Sequence, residues 1–214
     1  MRRYLVTGTD TDVGKTRVSA ALALALRTCG HPPAVVKLVQ TGVRPGEPGD
    51  AARAGALAGC AFRELARFSK AADPWSAALA DGEPALRAAD LQHMLAGIPG
   101  ALVVEGAGGL AVPINASQSI ATVAQLAGLS VVVAVGLRLG CINHALLTMA
   151  LCEQLGISVA GGVLVDRWER SEESYVGDVI RALQGKLKIL GIVPFEPDER
   201  ASVEAAAALF APLQ

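Results

Sequence analysis

Residues 8–16, "GTDTDVGKT", hold the residue types best suited to binding phosphate. In Gly14-Lys15-Thr16, free backbone N–H groups and the dipole of a following helix can receive phosphate oxygens. Lys15 neutralises β- and γ-phosphate charge, and the Thr16 hydroxyl reaches a magnesium ion. The spacing is unusual, because the pattern GxxxxGK[ST] wants glycine where Thr9 stands, and the nearest glycine is Gly8. Asp10 and Asp12 also bring negative charge to a loop that is to hold anions. A plain glycine turn before an ordinary helix is the alternative. A strand before, a helix after and Gly-Lys-Thr between them favour the phosphate loop.

Three further stretches carry candidate chemistry. In "VKLVQTG", residues 36–42, Lys37 sits inside an apolar run, where an ammonium is costly unless it faces an anion or loses its proton. Lys37 is a site candidate, with snorkelling at the sheet end as the even alternative. In "LVVEGAGGLAVP", an apolar run ends in one carboxylate, Glu105, followed by glycines that let backbone approach a phosphate. That pattern suits a ligand of a nucleotide-bound metal. In "LGCINHALL", Cys141 and His144 stand three apart at a helix start, but two ligands make no metal site. Exposed N–H groups at that helix start, able to receive a carboxylate, are the simpler reading.

These groups must share one edge of one sheet to act together. Strands are predicted over Arg3–Thr7, Ala34–Val39, Ala101–Glu105, Val131–Val135, Val159–Val165 and Ile189–Val193. Helical periodicity fills 15–29, 50–58, 88–96, 119–127, 142–155, 172–184 and 199–210. Apolar strands without alternation, each followed by a helix, predict an α/β fold with a mainly parallel central sheet covered on both faces. Ligands of such sheets bind at the carboxyl ends of the strands, where all of these candidates fall.

Bulk properties narrow the function. A chain of 214 residues, 52% hydrophobic and 18% charged, suits a single packed domain over 1–214. Nineteen basic and 20 acidic residues, with no Lys/Arg block, give no footprint for nucleic acid. No apolar stretch approaches the roughly 20 residues needed to span a bilayer, and "MRR" runs straight into a strand. A cytoplasmic location is expected, with Cys29, Cys60, Cys141 and Cys152 as free buried thiols.

Together "VTGTDTDVGKT", "VVKLVQTG", "VVEGAGGL" and "LGCINHALLT" resemble the dethiobiotin synthetases, P-loop enzymes of biotin synthesis. The match runs in order from residue 6 to 148, and more loosely through "GIVPF" at 191–195. The resemblance implies that 7,8-diaminopelargonic acid takes up CO2 as a carbamate, which ATP phosphorylates before the second amine closes the ureido ring. It implies Lys15 and Lys37 beside the carbamate and γ-phosphate, and magnesium held by Thr16, Asp50 and Glu105. Nucleotide contacts would run through Asp12, Val13, Gly14, Lys15, Thr16 and Arg17, and through Glu105, Gly106, Ala107 and Gly108. Val165, Asp166 and Pro194 would stand at the base. Thr11 and Thr41 would touch the diamine, Thr11 among the catalytic groups. Gly140, Cys141, Ile142 and Asn143 would hold the diamine carboxylate across a homodimer interface.

Two departures from the family pattern stand out. Where relatives carry an asparagine that reads the base, this chain has Val165, followed by Asp166, and valine cannot hydrogen-bond a purine edge. Base selectivity is then either relaxed or carried by Asp166 or by backbone near Pro194, and weak discrimination among nucleoside triphosphates is expected. Where relatives have Ser-Pro-His, this chain has Asp73-Pro74-Trp75. For the Asp10 and Asp12 carboxylates, the expectation is that one of them orients Lys15, Lys37 or a diamine nitrogen. The chief competitor is a partitioning or membrane-positioning ATPase of the same broad group. Those switches carry an additional lysine early in the loop, which is absent here, and the tail "ASVEAAAALFAPLQ" offers no basic helix.

Overall fold

A computed structural model describes residues 2–168 and 171–213. Its sheet has seven strands, all parallel: β1 (Arg3–Gly8), β2 (Ala34–Lys37), β4 (Phe62–Glu64), β6 (Leu102–Glu105), β7 (Ser130–Gly136), β8 (Val159–Val165) and β9 (Ile189–Val193). Their order is β4-β2-β6-β1-β7-β8-β9. The short strands β3 (Gln40–Thr41) and β5 (Arg67–Phe68) pair separately, also in parallel.

Both faces of the sheet are buried, so its strands read as unbroken apolar runs. Val6, Val35, Val103 and Val132 pack one way, against α1 (Lys15–Thr28), α2 (Asp50–Ala58) and α8 (Glu199–Ala207). Leu5, Val36, Val104 and Val133 pack the other way, against α4 (Ala88–Ala96), α5 (Ile120–Leu126), α6 (Cys141–Leu155) and α7 (Glu173–Leu183). Helix α1 buries Val18, Leu22 and Leu26 at a four-residue spacing. Each such leucine stabilises the fold by about 1.5–3 kcal/mol.

All six predicted strands are present, and the edge strand β4 and the β3–β5 pair add to them. "FRE" is too short, and its Phe62 and Arg63 too exposed, to give an apolar run. Strand β2 stops at Lys37 instead of Val39, which brings the lysine to the carboxyl end of the sheet. Helix α3 (Pro74–Ala80) was also unpredicted, although its start obeys simple rules. Asp73 caps it by accepting from the Ser76 N–H at 2.9 Å, and Pro74 takes the first turn. All four cysteines are free thiols, but only Cys141 and Cys152 are buried. Cys29 is exposed and Cys60 half-buried, because they end α1 and follow α2.

Candidate active site

The carboxyl ends of β1, β2 and β6 open into a cleft of about 650 Å³. Strand register builds its centre: Lys37 pairs with Glu105 across β2 and β6, so the two side chains leave the sheet on the same side. The Lys37 Nζ lies 2.7 Å from Glu105 Oε1 and 2.6 Å from Asp50 Oδ2, and it donates to the Gly106 carbonyl at 3.1 Å. Lys37 is 4% exposed and Glu105 1%. Lys37 therefore faces anions in the interior instead of snorkelling. Burial works against its charge, but Glu105 and Asp50 together outweigh that and raise its pKa. Burial likewise opposes the Asp50 charge, and Lys37 overrides it and lowers the Asp50 pKa.

Thr16 joins this centre by donating from its hydroxyl to Glu105 Oε1 at 3.2 Å. The other oxygen, Glu105 Oε2, is buried and has no hydrogen-bond partner among the described residues. An orphaned buried carboxylate oxygen beside a hydroxyl and the Asp50 carboxylate fits a hard cation. Among the described residues no cluster of three or more His, Cys, Asp or Glu exists. Two carboxylates and a hydroxyl suit magnesium, which takes one or two carboxylates and completes its shell with phosphate and water.

The phosphate loop lies alongside. Gly14 has φ 92° and its missing Cβ would meet Val165 Cγ1 at 2.8 Å, so glycine is required before α1. Gly8 serves closeness instead, since a Cβ there would stand 2.6 Å from the Asp10 carbonyl. That carbonyl accepts from Lys15 Nζ at 2.9 Å. Lys15 is buried, and burial followed by the charge of Lys37 lowers its pKa. Of the three partners expected for the loop carboxylates, neither lysine is contacted by Asp10 or Asp12. Asp10 binds Arg138 and its own loop's Thr11 N–H, and Asp12, at φ 56°, binds Arg167 at 3.2 Å. The arginines sit just past β7 and β8, so the acids fasten the loop to the neighbouring strand ends. Thr11 and Thr41 both line the cleft, as do Gly14, Arg17, Ala107 and Gly108.

The base end is different. Val165 is fully buried against Gly14, and Asp166 gives both oxygens to Ser171, accepting from its N–H at 2.9 Å and its hydroxyl at 2.7 Å. The valine offers a base no hydrogen bond, and Ser171 engages one lone pair on each Asp166 oxygen. Pro194 is exposed, directly past β9. Arg17, nearly buried, donates to the Glu196 carbonyl at 3.0 Å.

The described residues lining the cleft do not include Gly140, Cys141, Ile142 or Asn143. Gly140 begins α6 at φ 94°, while Cys141 turns inward to Tyr175 Oη at 3.4 Å and His144 is exposed. Cys141 and His144 thus form no pair. With the Cys141 thiol beside it, burial pushes the Tyr175 hydroxyl up to about 12.

Several cleft residues were missed in the sequence. Gln40 fixes the start of α2 by accepting from the Asp50 N–H at 2.8 Å. Glu199 binds Arg53 at 2.8 Å, and with Asp73 both line the cleft. Arg53, one helical turn past Asp50, was findable by spacing. Glu199 and Asp73 depend on tertiary placement.

A family model described as an AAA domain matches residues 2–202. The ATP-dependent dethiobiotin synthetase BioD of Anaeromyxobacter sp. (strain K) is 37% identical over 205 residues, covering 92% of each chain. That of Rhodococcus jostii (strain RHA1) is 41% identical over 169 residues, covering 77% of this chain and 73% of its own. Among solved structures, the septum site-determining protein MinD of Pyrococcus horikoshii OT3, complexed with Mg-ADP, gives a TM-score of 0.60 at 15% identity. It covers 100% of this chain and 93% of that one. A ParA family ATPase from Chlorobium tepidum TLS gives 0.59 at 12% identity, over 98% and 90%. At such identities the two ATPases share the fold alone.

Proposed function

The chain belongs to the ATP-dependent dethiobiotin synthetase family, and from that premise we propose that its cleft converts diaminopelargonate, CO2 and ATP into dethiobiotin, ADP and phosphate. The observation that carries the reading is the buried set Lys37, Asp50, Glu105 and Thr16 beside Lys15, at the mouth of a phosphate loop.

Each residue has a role that follows from its surroundings. The N–H groups of Gly14 to Arg17 cradle the β- and γ-phosphates at the start of α1. Lys15, shed of its carbonyl contact, follows the γ-phosphoryl group, and its depressed pKa recovers when that anion arrives. One substrate amine adds to CO2 and loses a proton, giving a carbamate; Thr11 and Thr41 hydrogen-bond the diamine. Lys37 faces the carbamate oxygen that attacks the γ-phosphorus, with ADP leaving. The second amine then attacks the carbamoyl carbon, phosphate departs, and the ureido ring closes. Thr16, Asp50 and Glu105 would hold magnesium, and the ion would neutralise phosphate charge that develops during transfer.

We further propose a homodimer in which Gly140–Asn143 of one chain serve the diamine carboxylate of its partner. Leu139 and Leu147 flank and follow that segment at 95% and 61% exposure, an apolar surface beside an open helix N-terminus. Nothing in the charge pattern favours a nucleic-acid partner, and no helix among the described residues is long and apolar enough to cross a membrane.

The test is to incubate the pure protein with diaminopelargonate, bicarbonate, ATP and magnesium, and to weigh the products. Dethiobiotin with one ADP per ring is expected. Nucleotide hydrolysis indifferent to the diamine would overturn the assignment. In the same assay Leu147→Glu is expected to be monomeric and slow, and full activity as a monomer would remove the shared site.

A further inference from the structure

Lys37 is bound by the same carboxylates that the metal needs. Its Nζ makes three contacts, with Asp50 Oδ2 at 2.6 Å, Glu105 Oε1 at 2.7 Å and the Gly106 carbonyl at 3.1 Å, which match the three donors of an ammonium. Two cations cannot share those oxygens at close range in a site this buried without strong repulsion. The geometry points to an exchange: magnesium entering on Asp50 and Glu105 displaces the Lys37 ammonium, which is thereby delivered to the anionic substrate. This rests on the reading of Thr16, Asp50 and Glu105 as the metal-holding set.

The surroundings are built for such a swap. The carboxylates stay put while the lysine can move. Glu105 ends β6 inside the sheet, and the backbone of Asp50 is tied to Gln40 at 2.8 Å. Lys37 ends β2, and its four-carbon stem can swing toward the cleft without disturbing the ladder. Glu105 Oε2, which the lysine leaves without a partner, remains for the metal. The Asp50 side chain is 29% exposed, which gives a cation a way in from the cleft.

Charge balance makes the swap a gate. Before metal arrives, Asp50 and Glu105 hold the Lys37 ammonium, so its charge is not free for an incoming anion. A divalent cation on those carboxylates releases the lysine at the same moment. The carbamate then meets a free ammonium only when the metal is seated. Lys37 is in this account a counter-ion that changes partners, as well as a group on the reacting oxygens.

Metal binding without turnover tests the exchange. Free Mn2+ is counted by electron paramagnetic resonance in nucleotide-free wild type, Lys37→Met and Glu105→Gln. Removing the competing ammonium should tighten Mn2+ at least tenfold in Lys37→Met, and Glu105→Gln should weaken it at least tenfold. Lys37→Gln, which keeps a hydrogen-bond donor for the carboxylates, should show the same gain and is read if Lys37→Met melts below the assay temperature. Weakened binding in Glu105→Gln with no gain in either Lys37 variant would overturn the exchange and leave the metal site standing. Unchanged Mn2+ affinity in Glu105→Gln would overturn the metal site and the exchange with it.

Discussion

At the carboxyl ends of β2 and β6 the strand-end side chains are charged, buried and paired with one another, whereas at the end of β8 the last side chain is a valine and the next, Asp166, is used up within its own loop. Both ends belong to the same sheet edge and serve the same nucleotide in the proposed function. The difference teaches where this enzyme places its specificity. Buried ion pairs are costly to assemble and punish any wrong occupant, so the phosphate end discriminates by charge and geometry. An apolar wall with no free hydrogen-bonding group discriminates weakly.

The comparison can be broken first at the phosphate end. Thr16→Val removes a hydroxyl bonded to a buried carboxylate, a loss of about 2 kcal/mol, or roughly 30-fold in kcat/KM for the magnesium nucleotide. A variant within twofold of wild type would take Thr16 out of the metal-holding set. At the base end, saturating CTP and GTP should support rates within about tenfold of ATP, because Val165 has no hydrogen-bonding group and Asp166 is held by Ser171. Steady-state rates with the three nucleotides check this, and a strong preference for ATP would show that Asp166 or backbone near Pro194 reads the base. The smallest effect lies on the loop's outer face. Asp10→Asn and Asp12→Asn each sever a part-exposed pair with an arginine and should lower stability by no more than about 1 kcal/mol. Thermal melts would show it, and the KM for the diamine should hold within about twofold. A large rise in that KM would restore a carboxylate to the substrate.

The same contrast marks what the sequence discloses. Phosphate-end groups are legible because each needs a fixed residue type at a fixed place: glycine where φ is 92°, lysine and threonine opening α1, a lone carboxylate ending an apolar run. The six principal strands are legible because both sheet faces are buried. What escapes lies where tertiary contact decides. Strand β4 exists as an edge partner of β2, a pairing that no local pattern announces. The arginine partners of the loop aspartates are not legible because they stand more than 120 residues away in sequence, at the ends of β7 and β8. Asp166 could not be seen to cap Ser171 until the loop was folded.

The most direct test of the account is dethiobiotin formation by Lys37→Ala, measured by mass spectrometry beside wild type, with melting temperature and Mg-ATP binding recorded on the same preparation. Removing a preorganised cation from the reacting oxygens should slow ring formation by at least about 100-fold. The fold and nucleotide binding should persist, because Lys15 and the N–H groups of the loop remain. Dethiobiotin made at close to the wild-type rate would contradict the claim that the buried lysine and its two carboxylates are the reaction centre.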